Sequence, residues 1–149
     1  MKVHVNLEKV NKSTAYIDSN YEKSLDIIDY LRENSEDYTG WVNWPSEISE
    51  EFLSSLEDAA RDIQGKCNKL IVIGIGGSYL GTAAVIDALG GSKSGCPDVL
   101  FAGNNLSGNY HAQFKKIVDE NDVCLCVVSK SGGTMESRIA FSLLKSMLY

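Results

Sequence analysis

Basic residues are scarce in this sequence: 14 lysines and arginines stand against 20 aspartates and glutamates in 149 residues, a net charge of −6. Affinity for DNA or RNA rests on clustered Lys and Arg, so a nucleic-acid binder is not expected. A small anion, which needs only a local field, is compatible with this balance. Long apolar runs are also missing. The longest, Leu70 to Ile75 and Val123 to Val128, fall far short of the roughly 20 residues that span a bilayer, so no membrane association is expected. Met1, Lys2, Val3, His4 and Val5 lead straight into polar sequence, without the apolar segment of a secretory signal. Cys67, Cys96, Cys124 and Cys126 form no CxxC pair, and the sequence has only 2 histidines, so zinc-ligand spacing is absent. Cys124 and Cys126 lie in a strand-like run, where a free cysteine behaves as a small buried hydrophobe. All four are therefore expected to be structural, in a reducing, cytoplasmic setting.

What is present is enough for a core: 44% of the residues are hydrophobic and 23% charged, which argues for one folded domain rather than disorder. The first third reads as helical. Tyr21, Leu25, Ile28 and Leu31 recur at helical spacing behind the capping candidates Asp18 and Ser19. Gly40 to Pro45 interrupts that pattern. A second helix then carries the stripe Ile48, Phe52, Leu56, Ala59, Ala60 and Ile63, with acidic residues at its start and Gly65 as its stop. After Lys69 the pattern changes. Leu70–Ile73, Val99–Ala102 and Val123–Val128 are apolar without alternation, and they are separated by helical segments: Leu80 to Leu89, and a stripe of Tyr110, Phe114, Ile117 and Val118. A last helix from about Thr134 shows Met135, Ile139, Leu143 and Met147. Continuous apolar strands alternating with helices predict a three-layer αβα fold on a parallel sheet covered on both faces. Three strands make a thin sheet of this kind, and the last helical pattern runs to Tyr149 without a stop signal. The expectation is a truncated unit or one with further strands to follow.

Two turns carry chemistry. Gly74-Ile75-Gly76-Gly77-Ser78-Tyr79-Leu80-Gly81 follows the first strand and opens a helix. Glycines bring backbone N–H groups close to a ligand, and a helix start adds unpaired donors and partial positive charge, a combination suited to phosphate. A dinucleotide fingerprint would need glycine at Tyr79 and an acidic residue where the second strand ends Ala102-Gly103-Asn104-Asn105; a Walker A loop would need Gly-Lys-Ser/Thr. Neither pattern is met. Taken alone, the turn also fits a glycine-rich helix entry that merely packs tightly. The second turn, Ser129-Lys130-Ser131-Gly132-Gly133-Thr134, follows the third strand. Thr134 by itself would be a helix cap, but that leaves Ser129, Lys130 and Ser131 unexplained, and a phosphate would use them as donors. If the first and third strands are neighbours, as in a flavodoxin-like order, both turns open onto one crevice beyond the strand ends.

These residues resemble a known family. Val72 to Gly81 is similar to the glycine-rich signature of bacterial glucose-6-phosphate isomerases. Phe101-Ala102-Gly103-Asn104-Asn105-Leu106-Ser107 resembles that family's second-strand ending, and Val128 to Thr134 its second phosphate-loop motif. Gly40-Trp41-Val42 with Trp44-Pro45 is similar to a linker that precedes the core. The resemblance implies a sugar isomerase (SIS) domain, the first of two, over residues 68–149, with a helical region over 1–67 packing on it. It implies interconversion of glucose 6-phosphate and fructose 6-phosphate through a cis-enediol, without metal or organic cofactor, by a homodimer or larger oligomer of the full-length protein. Carried over by position, Gly77, Ser78, Ser129, Lys130, Ser131 and Thr134 contact the substrate or its phosphate. The family usually has threonine at Gly133 and often proline at Ser137, and the stretch from Leu89 to Pro97 is short. The family's general base, ring-opening histidine and lysine, and its arginine belong to later sequence and have no counterpart here, so no catalytic residue is expected. His111 reads as a surface residue, and Glu136 as a complement to the helix dipole. A stand-alone sugar-phosphate-binding module without catalysis is the alternative.

Overall fold

Leu70, Ile71, Val72 and Ile73 are apolar and mostly β-branched, the composition that packs best on a sheet buried on both faces. In a computed structural model, which describes residues 14–34 and 39–148, they form the central strand. Met1 to Val5, read above as lacking a signal segment, lie outside the described residues. The chain divides into two compact units, Met1–Leu53 and Ser54–Tyr149.

The first unit holds helix α1 (Thr14–Glu33), a 3-10 turn at Gly40–Val42, and the short helix α2 (Trp44–Glu47). Asp18 and Ser19 lie inside α1 instead of capping it. The second helix foreseen from the apolar stripe is broken: α2 ends where Ile48 turns extended, and α3 (Glu50–Gln64) starts anew. The cause is local. The Phe52 N–H donates to Ser49 Oγ at 3.1 Å, which caps the new helix. The Trp44 and Phe52 rings meet edge to face at 5.6 Å, and Asn43 Nδ2 donates to the Arg32 carbonyl at 2.9 Å.

The second unit carries the sheet. Strands β1 (Lys69–Ile73), β2 (Asp98–Ala102) and β3 (Val123–Val127) are all parallel in the order β2-β1-β3. Helix α4 (Leu80–Ala88) joins β1 to β2, α5 (Gly108–Glu120) joins β2 to β3, and α6 (Met135–Leu148) follows β3. Ile71 stands opposite Leu100 and Leu125, and Ile73 opposite Ala102 and Val127. Alternation then sends Ile71, Ile73, Leu100, Ala102, Val123 and Leu125 to one face, where they pack with Phe114 of α5 and with Ala140 and Leu144 of α6. Ile71, Ile73 and Leu144 are fully buried; each contributes about 1.5–3 kcal/mol by leaving water. The other face takes Leu70, Val72, Val99 and Phe101. The Tyr79 ring meets Phe101 at 5.6 Å in a tilted contact, and Ala60 and Ile63 of α3 line a small apolar cavity with Leu70 and Val99. Helices thus lie on both sides of a parallel sheet.

Expectations about His111 and about three of the cysteines need correction. His111 is buried, 4% exposed, instead of lying on the surface. It stands three residues before Phe114 and seven before Val118, so it extends the buried side of α5. Cys96 is exposed, because it sits in the loop before β2, away from the core; only Cys67 is buried, and Cys124 and Cys126 are half-buried. Burial raises the Cys67 thiol above the ordinary cysteine range, and a hydrogen bond with Cys124 adds to the effect.

Candidate functional site

The site lies where β1 and β3 end. Because these strands are hydrogen-bonded neighbours, the turns that leave them start side by side at one edge of the sheet. The ladder runs one residue past β3, with Val128 N–H donating to the Ile73 carbonyl at 2.9 Å. On the other flank Gly74 N–H donates to the Ala102 carbonyl at 3.0 Å. Gly74 is therefore held between the two outer strands at the point where the first turn departs. A Cβ there would lie 2.9 Å from Ser78 Cβ and 3.3 Å from the Val128 carbonyl oxygen. Glycine is required by this close approach, and the approach brings the first turn against the start of the second.

The first turn tightens immediately. Gly76–Ser78 is a single 3-10 turn, closed by Ser78 N–H to the Ile75 carbonyl (3.1 Å) and Tyr79 N–H to the Gly76 carbonyl (3.2 Å). Helix α4 then opens, its first bond running from Ala83 N–H to the Tyr79 carbonyl at 2.8 Å. The positive end of this helix faces the strand-end side of the sheet. Gly77 is exposed and Ser78 partly buried. Asn104, just past β2, reaches the Tyr79 hydroxyl at 3.5 Å, so the end of the second strand borders the same turn.

The second turn is held by its own hydroxyls. Gly132 N–H donates to Ser129 Oγ at 3.0 Å, and Gly133 N–H donates to Ser131 Oγ at 3.2 Å. Gly132 adopts φ +67°, the left-handed region that suits glycine. The chain then enters α6, with Arg138 N–H bonded to the Thr134 carbonyl at 3.0 Å, so Thr134 directly precedes the helix. Two of the turn's N–H groups are thereby committed to serine oxygens. The serine protons are not: a hydroxyl that accepts still has one O–H to donate. Ser129 and Thr134 are partly buried, while Lys130 and Ser131 are exposed.

The six residues singled out from the sequence thus fall on two turns that leave adjacent strands at one end of the sheet. Glu136 lies in the first turn of α6, where a carboxylate complements the helix dipole. Sequence reasoning gave no functional role to His111 or Ser137. Both are buried at the start of adjacent helices, with no hydrogen-bond partner on the His111 ring nitrogens or Ser137 Oγ among the described residues. Among the described residues no group of three or more His, Cys, Asp or Glu side chains gathers to hold a metal ion, and no helix is long and apolar enough to cross a membrane.

Comparison with known proteins bears on this arrangement. A family model described as Phosphoglucose isomerase matches residues 48–148, which include both turns. A glucose-6-phosphate isomerase of Symbiobacterium thermophilum is 40% identical over 119 residues, covering 74% of this chain and 27% of that protein. Those of Clostridium perfringens and Lactococcus lactis are 41% identical over 120 residues, covering 75% of this chain and again 27% of theirs. The chain spans about a quarter of the length of these relatives.

Proposed function

This chain belongs to the phosphoglucose isomerase family, and we propose that it supplies the phosphate grip of an enzyme interconverting glucose 6-phosphate and fructose 6-phosphate. The observation that carries this reading is the juxtaposition of two donor-rich turns at the neighbouring ends of β1 and β3. A phosphate seated between them meets the starts of α4 and α6, each a source of partial positive charge. Ser78, Ser129, Ser131 and Thr134 offer hydroxyl protons to its oxygens, and Lys130 adds a cationic charge. Gly77 lets the anion approach the backbone. The internal bonds of the second turn hold its serines in place before the ligand arrives, so little ordering entropy remains to be lost on binding.

Chemistry on the sugar needs more than a grip. Proton transfer between C1 and C2 through a cis-enediol calls for a general base, and positioned acid–base groups contribute about 10²- to 10⁴-fold each. In our reading those groups come from the remaining three quarters of the whole protein and from a neighbouring subunit in a cytoplasmic homo-oligomer. No cofactor takes part. This chain by itself binds the sugar phosphate and turns it over negligibly.

The test is a double substitution. Ser131→Ala with Thr134→Ala removes two hydroxyl donors to a dianion, each worth about 1.5–3 kcal/mol. Isothermal titration with fructose 6-phosphate should show affinity weakened at least tenfold, with the thermal midpoint little changed. Equal affinity in the variant removes the site assignment, and a response to NAD but not to fructose 6-phosphate would point to a nucleotide site instead.

A further inference from the structure

Three buried polar atoms stand without partners among the described residues: Nδ1 and Nε2 of His111, and Oγ of Ser137. Their residues are 4% and 3% exposed. An unsatisfied buried polar group is destabilising, so two such side chains in one small core need a physical reason.

Their places in the fold supply it. Helices α5 and α6 pack against each other on one face of the sheet, and both start at its strand-end edge. His111 is the fourth residue of α5 and Ser137 the third of α6, so the two lie at similar depth below that edge. Each continues a buried row: His111 with Phe114 and Val118, Ser137 with Ala140 and Leu144. The Tyr110 ring meets both His111 and Phe114 edge to face, at 5.3 and 5.4 Å, and its hydroxyl donates to the Phe101 carbonyl of β2 at 2.7 Å, which holds this end of α5 against the sheet.

We propose that His111 and Ser137 are two halves of one polar couple, closed through a single shared water, that pins the first turn of α6 to α5 and so positions the phosphate turn Ser129–Thr134. A buried water typically makes about three hydrogen bonds to otherwise unpaired groups, and one imidazole nitrogen with the serine hydroxyl supplies two of them. The couple's proposed effect on phosphate binding rests on the functional reading above; the couple itself does not. Ser137 is a positioning residue in this scheme, because it begins the helix that directly follows Thr134.

The experiment is a thermodynamic cycle on the full chain with Ser137→Ala, His111→Leu and both. Each single variant strands its partner and should lower the thermal midpoint by roughly 4–8 °C, whereas the double variant, with both polar groups gone, should be no less stable than either single one. Losses that simply add would overturn the couple. A ¹⁵N spectrum of the imidazole gives a readout that does not depend on the His111→Leu variant folding. The His111 N–H should be slow to exchange and sharp, should lose both properties in Ser137→Ala, and should regain them in Ser137→Thr, which keeps the hydroxyl. An imidazole spectrum unchanged by Ser137→Ala would also overturn the proposal. Affinity for fructose 6-phosphate should fall about two- to tenfold in Ser137→Ala and return in Ser137→Thr, the range expected of residues that act without touching the ligand. Coupling without any sugar-phosphate binding by the unaltered chain would sink the functional reading and leave the couple standing. Binding without coupling would do the reverse.

Discussion

One methyl group at Gly74 should push the two turns apart. Gly74→Ala places a Cβ 2.9 Å from Ser78 Cβ, closer than carbon atoms tolerate, and 3.3 Å from the Val128 carbonyl oxygen. Neither contact can be relieved by swinging a flexible side-chain end, since one atom is attached to the backbone of the first turn and the other belongs to the chain leaving β3. Overpacking of this kind costs about 1–3 kcal/mol. Against it stands the entropy that alanine removes from the unfolded chain, worth about 0.4–1 kcal/mol where the backbone angles suit. The steric term wins, and the net loss is roughly 1–2 kcal/mol, a midpoint shift of about 3–8 °C in a chain of this size. Gly81→Ala is the internal control. It lies in α4 with nothing within 4 Å of the added Cβ, so the same substitution should stabilise by about 0.5–1 kcal/mol through helix propensity. Thermal unfolding followed by far-UV circular dichroism measures both, and fructose 6-phosphate titration should show a grip weakened in Gly74→Ala alone. A Gly74→Ala chain as stable as Gly81→Ala would refute the close approach on which the site depends.

Other consequences are as direct. Ile73→Ala empties a fully buried position of the central strand and should cost about 2–5 kcal/mol in urea unfolding. Burial raises the Tyr110 phenol above the ordinary tyrosine range, with Tyr79 as a lesser cause. The neutral form is the one folding favours, so its contribution is present below the unfolded tyrosine value of about 10 and is lost as pH climbs through the folded value. Tyr110→Phe should flatten that alkaline loss of stability and cost about 0.5–1.5 kcal/mol at neutral pH, through the bond to the Phe101 carbonyl. Native-state thiol labelling should modify exposed Cys96 quickly and buried Cys67 only after unfolding, because the thiolate is the reactive form and burial disfavours it. Leu80, Val85 and Leu89 stand exposed around α4, so sedimentation should report self-association that grows with concentration.

Much of this was legible in the sequence because the strands announce themselves. Leu70–Ile73 lacks alternation, which a parallel sheet buried on two faces requires, and the glycines after it mark where the chain must turn. The strand order was conditional in the sequence; the register of Ile73 with both Ala102 and Val127 resolves it and sets the two turns side by side. What escaped was polar. The stripe of Tyr110, Phe114, Ile117 and Val118 leaves His111 on the solvent side of the helix pattern, yet the buried side of α5 extends to it. Ser49 went unnoticed as a cap because the apolar period runs unbroken from Ile48 to Phe52 while the backbone does not. The hydroxyls of Ser129 and Ser131 read as ligand donors, and nothing in their spacing reveals that each also accepts a bond from its own turn.

The most direct measurement is a titration of the ¹⁵N-labelled chain with fructose 6-phosphate, following the amide signals of both turns. One isotherm should describe Gly76, Gly77 and Ser78 together with Ser131, Gly132 and Gly133. Signals that move in one turn only, or in both with different midpoints, would mean that two separate surfaces, and not a single crevice, meet the anion.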